Sequence, residues 1–182
     1  VTSWNDHFNP ARGEVVKLIN RATDFDADYN YITRRYKLFD RFQNDHKKKD
    51  LTKILKNQKK RRKDLSKLET FTIDPKNAKD FDDAISITKK DDIYSLFVHI
   101  ADVSEFVKEG DSNDLIAQIK GNSYYFPEGT IHMLPEYIAT NLGSLLAQRE
   151  RLALTLKLQI NKTGNILNYE FFESTIKCKK NF

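Results

Sequence analysis

The chain has 182 residues, enough for one core or for part of a larger domain, and its 39% hydrophobic and 31% charged residues fit a globular protein. The single cysteine, Cys178, excludes an internal disulfide and points to a reducing, intracellular compartment, cytoplasmic or nuclear. No apolar run approaches membrane-spanning length, and Val1 to Pro10 has neither the basic nor the apolar region of a secretory leader. The net charge of +5 is uneven: residues 1–70 hold 18 Lys and Arg against 10 Asp and Glu, and residues 71–182 hold 13 against 16. A basic leading part thus precedes an acidic one, an arrangement suited to holding a polyanion beside a cation site.

Residues 1–46 are rich in aromatics, including Trp4, Phe8, Phe25, Tyr29, Tyr31, Tyr36, Phe39 and Phe42, which is too many for a disordered tail. Pro10 and Gly13 bracket a turn, 14–19 reads as a short strand, and Tyr29 to Phe42 suits a helix. The aromatics read as core. Residues 47–63 hold ten Lys or Arg and one acid, Asp50, over a partial apolar stripe of Leu51, Ile54 and Leu55. Lys59, Lys60, Arg61 and Arg62 are its candidate phosphate contacts; a solvated helix face is the competing reading.

Next comes Thr70-Phe71-Thr72-Ile73-Asp74-Pro75-Lys76-Asn77-Ala78-Lys79-Asp80-Phe81-Asp82-Asp83-Ala84-Ile85-Ser86-Ile87. Apolar β-formers flank four aspartates, which predicts a strand at about 70–74, an irregular acidic loop and a strand at about 84–88. Clustered carboxylates repel unless solvent or a cation offsets their charge, and hard divalent ions prefer such oxygen donors. A solvated acidic turn is the plain alternative. A calcium loop counted from Asp80 fails, because Ala84 and Ile85 stand where an oxygen ligand and then glycine belong.

Strands follow at 93–101, after a turn at Lys89-Lys90-Asp91-Asp92, and at 151–160 and 166–176, joined through Asn161-Lys162-Thr163-Gly164-Asn165. His99 alternates away from the aliphatic row of its strand and reads as structural rather than as a ligand or base. A short helix at 105–108 ends at Gly110; longer ones are expected at 112–121 and at 135–146, the latter with Pro135 at its first turn. Along 151–160, Leu152, Leu154, Leu156, Leu158 and Ile160 share one face. The fold class is α+β: a largely antiparallel sheet with packed helices.

The segment from Thr72 to Ile87 closely resembles the signature of the RNB catalytic domain, found in ribonuclease II, ribonuclease R and the exosome's catalytic subunit. The resemblance continues through Val98-His99-Ile100-Ala101-Asp102-Val103-Ser104, Lys120 to Pro127, Ile131-His132-Met133-Leu134-Pro135 and Arg151-Leu152-Ala153, covering about residues 64–182. It implies that Asp74, Asp80, Asp82 and Asp83 are the catalytic, metal-holding acids, with Mg²⁺ or Mn²⁺ as cofactor. It implies that Tyr125 stacks on the terminal base of a single-stranded RNA 3′ end. The implied activity is hydrolytic 3′→5′ exoribonuclease action releasing nucleoside 5′-monophosphates; the alternative is a catalytically silent RNA-binding or scaffold fragment of the same fold. Residues 1–63 then form a leading segment linking from upstream RNA-binding domains, and 64–182 the N-terminal part of a longer catalytic domain, as a fragment or a natural truncation. Lys120, His132 and Gly143 depart from the family's usual residues; they bear on the subgroup rather than on activity.

Overall fold

The computed structural model describes residues 13–15, 18, 26–38 and 48–182, with backbone alone for 48–52. Its elements in chain order are α1 (Ala27–Arg35), α2 (Lys48–Lys59), β1 (Lys63–Asp64), β2 (Thr70–Thr72), β3 (Asp83–Lys90), β4 (Ile93–Ala101), α3 (Ser112–Lys120), β5 (Tyr124–Phe126), β6 (Gly129–Ile131), β7 (Glu150–Asn161) and β8 (Ile166–Asn181). A 3-10 turn at Val103–Glu105 replaces the expected helix at 105–108, and a π-helical turn occupies Ile138–Leu142. The strand expected at 14–19 lies largely outside the described residues, as do the aromatics at positions 4, 8, 25, 39 and 42.

Two compact units emerge, Val1–Asp40 with Tyr124–Ile131, and Arg41–Ser123 with His132–Phe182. Composition changes at residue 63, but the basic helix α2 belongs with the sheet-bearing unit. In the first unit α1 carries Asp28 in its first turn and Arg34 and Arg35 in its last, which matches the helix dipole. The β5–β6 hairpin pairs Tyr125 with Thr130, and the Phe126 ring meets Tyr29 of α1 edge-on at 5.2 Å.

The second unit is built on a six-stranded sheet of order β1-β8-β2-β3-β4-β7, in which β7 pairs with β8 as well. The sheet therefore closes on itself. β8 makes this possible by its length: Ile166–Lys177 runs antiparallel to β7, while Cys178–Asn181 runs parallel to β2. Apart from the parallel pairings of β1 and β2 with β8, every pairing is antiparallel. The β3–β4 turn is two residues long, with Asp91 at φ +54°. At the β7–β8 turn, the Asn161 side-chain oxygen accepts the N–H groups of Thr163 and Asn165, and Gly164 takes φ +85°.

Closure leaves a narrow interior, and small side chains fill it: Ala84, Ala101, Ala153 and Cys178 cluster there with Leu145 and Ile176. A row of polar groups crosses the same interior. Thr70 of β2 bonds Ser86 of β3 (2.8 Å), Ser86 bonds His99 Nε2 of β4 (2.8 Å), His99 Nδ1 bonds Thr155 of β7 (2.8 Å), and Thr155 bonds Ser174 of β8 (2.6 Å). His99 is fully buried, and burial pushes its pKa down to about 4, so it is neutral and structural, as expected. The buried face of β7 is accordingly the one carrying Arg151, Ala153 and Thr155. Leu154 turns outward and is half-exposed, while Leu152 packs under α2 with Phe106, Ile138, Leu142, Ile54 and Leu55.

The helix expected over 135–146 forms only in part: residues 136–142 are helical, widening into the π-helical turn Ile138–Leu142, and the helix ends at Gly143. Beyond Leu142 its hydrogen bonds go elsewhere. The N–H of Leu145, which would close a turn on Asn141 O, donates to Phe81 O at 2.8 Å. Asn141 O instead accepts from Arg151 Nε at 2.8 Å. A Cβ at Gly143 would stand 2.7 Å from Val103 Cγ1 and 3.1 Å from Ile138 O, so a larger residue here would make the 3-10 segment shift. α3 forms as expected, capped by Asp111, whose carboxylate accepts the N–H of Asp114, and ended by Gly121 at φ +74°.

Candidate metal centre

Asp74 lies two residues beyond β2. Its N–H donates to Phe182 O at 2.9 Å, and Phe182 N–H donates to Thr72 O at 3.0 Å, so the end of the chain anchors the start of the acidic segment. The rings of Phe71 and Phe182 meet edge-on at 5.8 Å over this junction. After Thr72 the backbone leaves regular structure until Asp83, which pairs with Ile100 of β4. Asp82 O accepts the N–H of Ala101 at 2.8 Å. Lys76 and Lys79, between the acids, are exposed.

The outcome is a carboxylate triad. Asp74, Asp82 and Asp83 each offer an oxygen, and these oxygens lie within 4.8 Å of one another. Asp80, the fourth expected ligand, is outside this set. Asp83 is at the surface, yet partial burial and then the charges of Asp82 and Asp74 hold its carboxyl above the usual range. One oxygen of Asp74, Oδ2, is buried without a hydrogen-bond partner. A buried, unpaired carboxylate oxygen beside two further carboxylates is costly. A divalent cation removes both the desolvation and the repulsion cost, and an all-oxygen donor set suits Mg²⁺ or Mn²⁺. The residues present therefore fit such an ion.

The four basic candidates divide. Lys60 and Arg61 are exposed. Lys59, half-exposed, pairs with Glu150 at 2.6 Å. Arg62 must be corrected: its side chain is wholly buried, with Nη2 2.6 Å from Asp102, 3.2 Å from Glu105 and 3.8 Å from Glu173, and Nη1 donating to Ala153 O. The chain turns after α2 and points this residue at the sheet, where it ties α2 to β7, β8 and the 3-10 turn and is closed to a phosphate backbone. Tyr125 belongs to the first unit, where it is 65% exposed on β5.

The profile of the RNB domain matches residues 62–182. The chain belongs to the RNB family. Over 183 aligned residues this RNB chain is 36% identical to ribonuclease R of Aquifex aeolicus, covering 98% of itself and 26% of that protein. Mycoplasma genitalium RNase R, solved in complex with ribose-methylated single-stranded RNA, superposes with a TM-score of 0.73 at 27% identity, over 86% of this chain and 25% of that one. Yeast Ssd1, described as a pseudonuclease, superposes with a TM-score of 0.68 at 18% identity over 88% of this chain and 21% of its own, and shares the fold alone. The RNB chain thus spans about a quarter of the length of the relatives it matches. Among its described residues no helix is long and apolar enough to cross a membrane. Lys120 Nζ donates to His132 O at 2.8 Å.

Sequence reasoning missed the residues that hold the RNB acidic loop from behind. Ser144 Oγ donates to Lys79 O at 2.9 Å and accepts the N–H of Phe81 at 3.0 Å. Nothing local to the loop signals a partner 63 residues away.

Proposed function

We propose that the protein to which this RNB segment belongs is an intracellular, metal-dependent exoribonuclease that hydrolyses single-stranded RNA from its 3′ end and releases nucleoside 5′-monophosphates. The observation that carries this reading is the triad of Asp74, Asp82 and Asp83 around the unpartnered Asp74 Oδ2. Family membership supports RNA as the substrate class.

Asp74, Asp82 and Asp83 would hold Mg²⁺ or Mn²⁺. When bound there the ion supplies Lewis acidity, lowering the pKa of water and offsetting charge that develops on the phosphoryl oxygens. The chain's own part is placement. Phe182 and Ala101 fix the backbone of Asp74 and Asp82, so the carboxylates would take an ion with little reorganisation. Asp80, two residues before Asp82, is the fourth acid of the set that the resemblance implies. Exposed Tyr125 offers its ring to a base, and stacking of this kind contributes about 1–3 kcal/mol and tolerates every base. Lys60 and Arg61 offer charge to the phosphate backbone without reading sequence.

The test uses full-length protein and single-stranded RNA labelled at its 5′ end. With Mg²⁺ the RNA should shorten stepwise from the 3′ end and yield 5′-mononucleotides. Asp82→Asn, nearly isosteric but without the charge, should abolish release while leaving RNA binding in EDTA largely intact. Cleavage near the wild-type rate in Asp82→Asn, or after complete chelation, overturns the metal reading. Binding without cleavage by the wild type establishes the silent RNA-binding alternative.

A further inference from the structure

The acidic loop has to present carboxylates that repel one another, yet between Pro75 and Asp83 it has no strand or helix to stiffen it. Its order comes from Ser144, a fully buried residue in the bend that follows the π-helical turn. The Ser144 hydroxyl uses both its donor and its acceptor capacity on one stretch of loop: it donates to Lys79 O at 2.9 Å and accepts from Phe81 N–H at 3.0 Å. The next residue completes the grip, with Leu145 N–H donating to Phe81 O at 2.8 Å. Phe81 is thereby held on both of its peptide groups, and its ring packs against the interior cluster of Ala84, Leu145 and Ile176. Fixing Phe81 inward sets the backbone from which the exposed Asp82 and Asp83 follow.

Ser144 is itself held. Arg151, only 4% exposed, donates from Nε to Ser144 O at 2.9 Å and to Asn141 O at 2.8 Å, and from Nη2 to Asn141 Oδ1 at 2.8 Å. Those acceptors are all neutral. A buried guanidinium spent on neutral oxygens is costly as a stability device alone, and the bend it shapes is the one that delivers the Ser144 hydroxyl to the loop.

We propose that Ser144 is a positioning residue for the metal-holding acids, setting the backbone of Lys79–Phe81 so that Asp82 and Asp83 converge on Asp74. This rests on the metal reading above, and the experiment separates the two. Full-length wild type, Ser144→Ala and Ser144→Cys are compared by Mn²⁺ binding, by RNA binding in EDTA, and by hydrogen exchange of the Phe81 amide without metal. Cysteine keeps nearly the volume of serine with weaker hydrogen bonding, so it maintains the test if the alanine variant does not fold. Losing two buried hydrogen bonds should raise the Mn²⁺ dissociation constant by about tenfold in Ser144→Ala and less in Ser144→Cys, with RNA affinity within about twofold of wild type. Phe81 exchange should accelerate by about tenfold or more, and excess Mn²⁺ should restore turnover. Unchanged Mn²⁺ affinity in a folded Ser144 variant overturns the positioning role while the metal reading stands. If the wild type binds no Mn²⁺, the metal reading falls and this proposal with it.

Discussion

Removing the guanidinium of Arg62 leaves Asp102 and Glu105, both largely out of solvent, facing one another without their shared cation. Breaking a buried ion pair from one side typically costs about 3–5 kcal/mol, most of it the desolvation of what remains. Arg62→Ala should lose stability on that scale in urea unfolding, and Arg62→Lys should lose less, since it keeps the charge but not the fork. A loss indistinguishable from that of exposed Arg61→Ala marks the cluster as solvated. Asp83 makes the opposite case. Its carboxyl is held above the usual range by partial burial and by Asp82 and Asp74, so without metal its protonated form favours the fold. That contribution is present below the ordinary carboxylate pKa and is lost as pH rises through the raised value. A bound cation needs the deprotonated form, so Mn²⁺ binding should release protons and weaken as pH falls through the Asp83 pKa. Calorimetric titration in buffers of different ionisation enthalpy reads this directly; binding with no proton release below neutral pH contradicts it.

At the scale of elements, the exposed cations at the end of α2 are the ones to count. Neutralising Lys60 and Arg61 together in the full-length protein should lower RNA affinity and flatten its dependence on salt. On a single strand the log–log slope should fall by about 0.7 for each phosphate that is no longer neutralised. Adding Arg62→Met should leave the slope where the double variant put it, because Arg62 is buried. An unchanged slope in the double variant makes the helix face merely solvated. The elements themselves are unequally legible. β4 and β7 announce themselves through unbroken alternation, and their observed limits, Ile93–Ala101 and Glu150–Asn161, lie within a residue of the expected ones. β8 runs to Asn181 rather than 176, because Lys177-Cys178-Lys179-Lys180-Asn181 lacks an apolar row while its backbone goes on to pair with β2. The helix expected at 135–146 stops at Leu142 because periodicity reports which face is apolar but not where the backbone hydrogen bonds go. Phe81, remote in sequence, and Arg151 claim the groups that would carry the helix further.

For the whole molecule, closure of the sheet is the feature no local pattern could reveal. It depends on one strand, β8, serving β7 along most of its length and β2 at its end. Asp74, Asp82 and Asp83 are readable because all three lie within ten residues of chain, whereas nothing in that spacing sets Asp80 apart from them. The closed interior also sets a pH limit. His99 has an unfolded pKa near 6.5 and a folded value of about 4, so between these the unfolded chain binds a proton that the folded chain refuses. Stability is therefore full above pH 6.5 and falls as pH drops toward 4, by about 3 kcal/mol in all if His99 acts alone. Urea unfolding at about pH 7 and about pH 5 should show the decline in wild type and a smaller one in His99→Gln; equal declines assign the acid sensitivity to other groups.

The interior row from Thr70 to Ser174 has one more property. A neutral imidazole donates from one nitrogen and accepts at the other. The tautomer of His99 therefore dictates the sense of every hydroxyl beside it. In one sense the last proton of the row is available to Leu68 O through Thr70, and in the other to Ala153 O through Ser174. Five strands share this single orientation, and none can reverse alone. The row also proofreads the pairing. Sliding β3 by one residue puts Ile85 or Ile87 where Ser86 belongs, sliding β4 brings Val98 or Ile100 to the place of His99, and sliding β7 brings Leu154 or Leu156 to the place of Thr155. Each such slip cuts the circuit and strands polar groups in a buried interior, so the row penalises a one-residue shift of any of these strands.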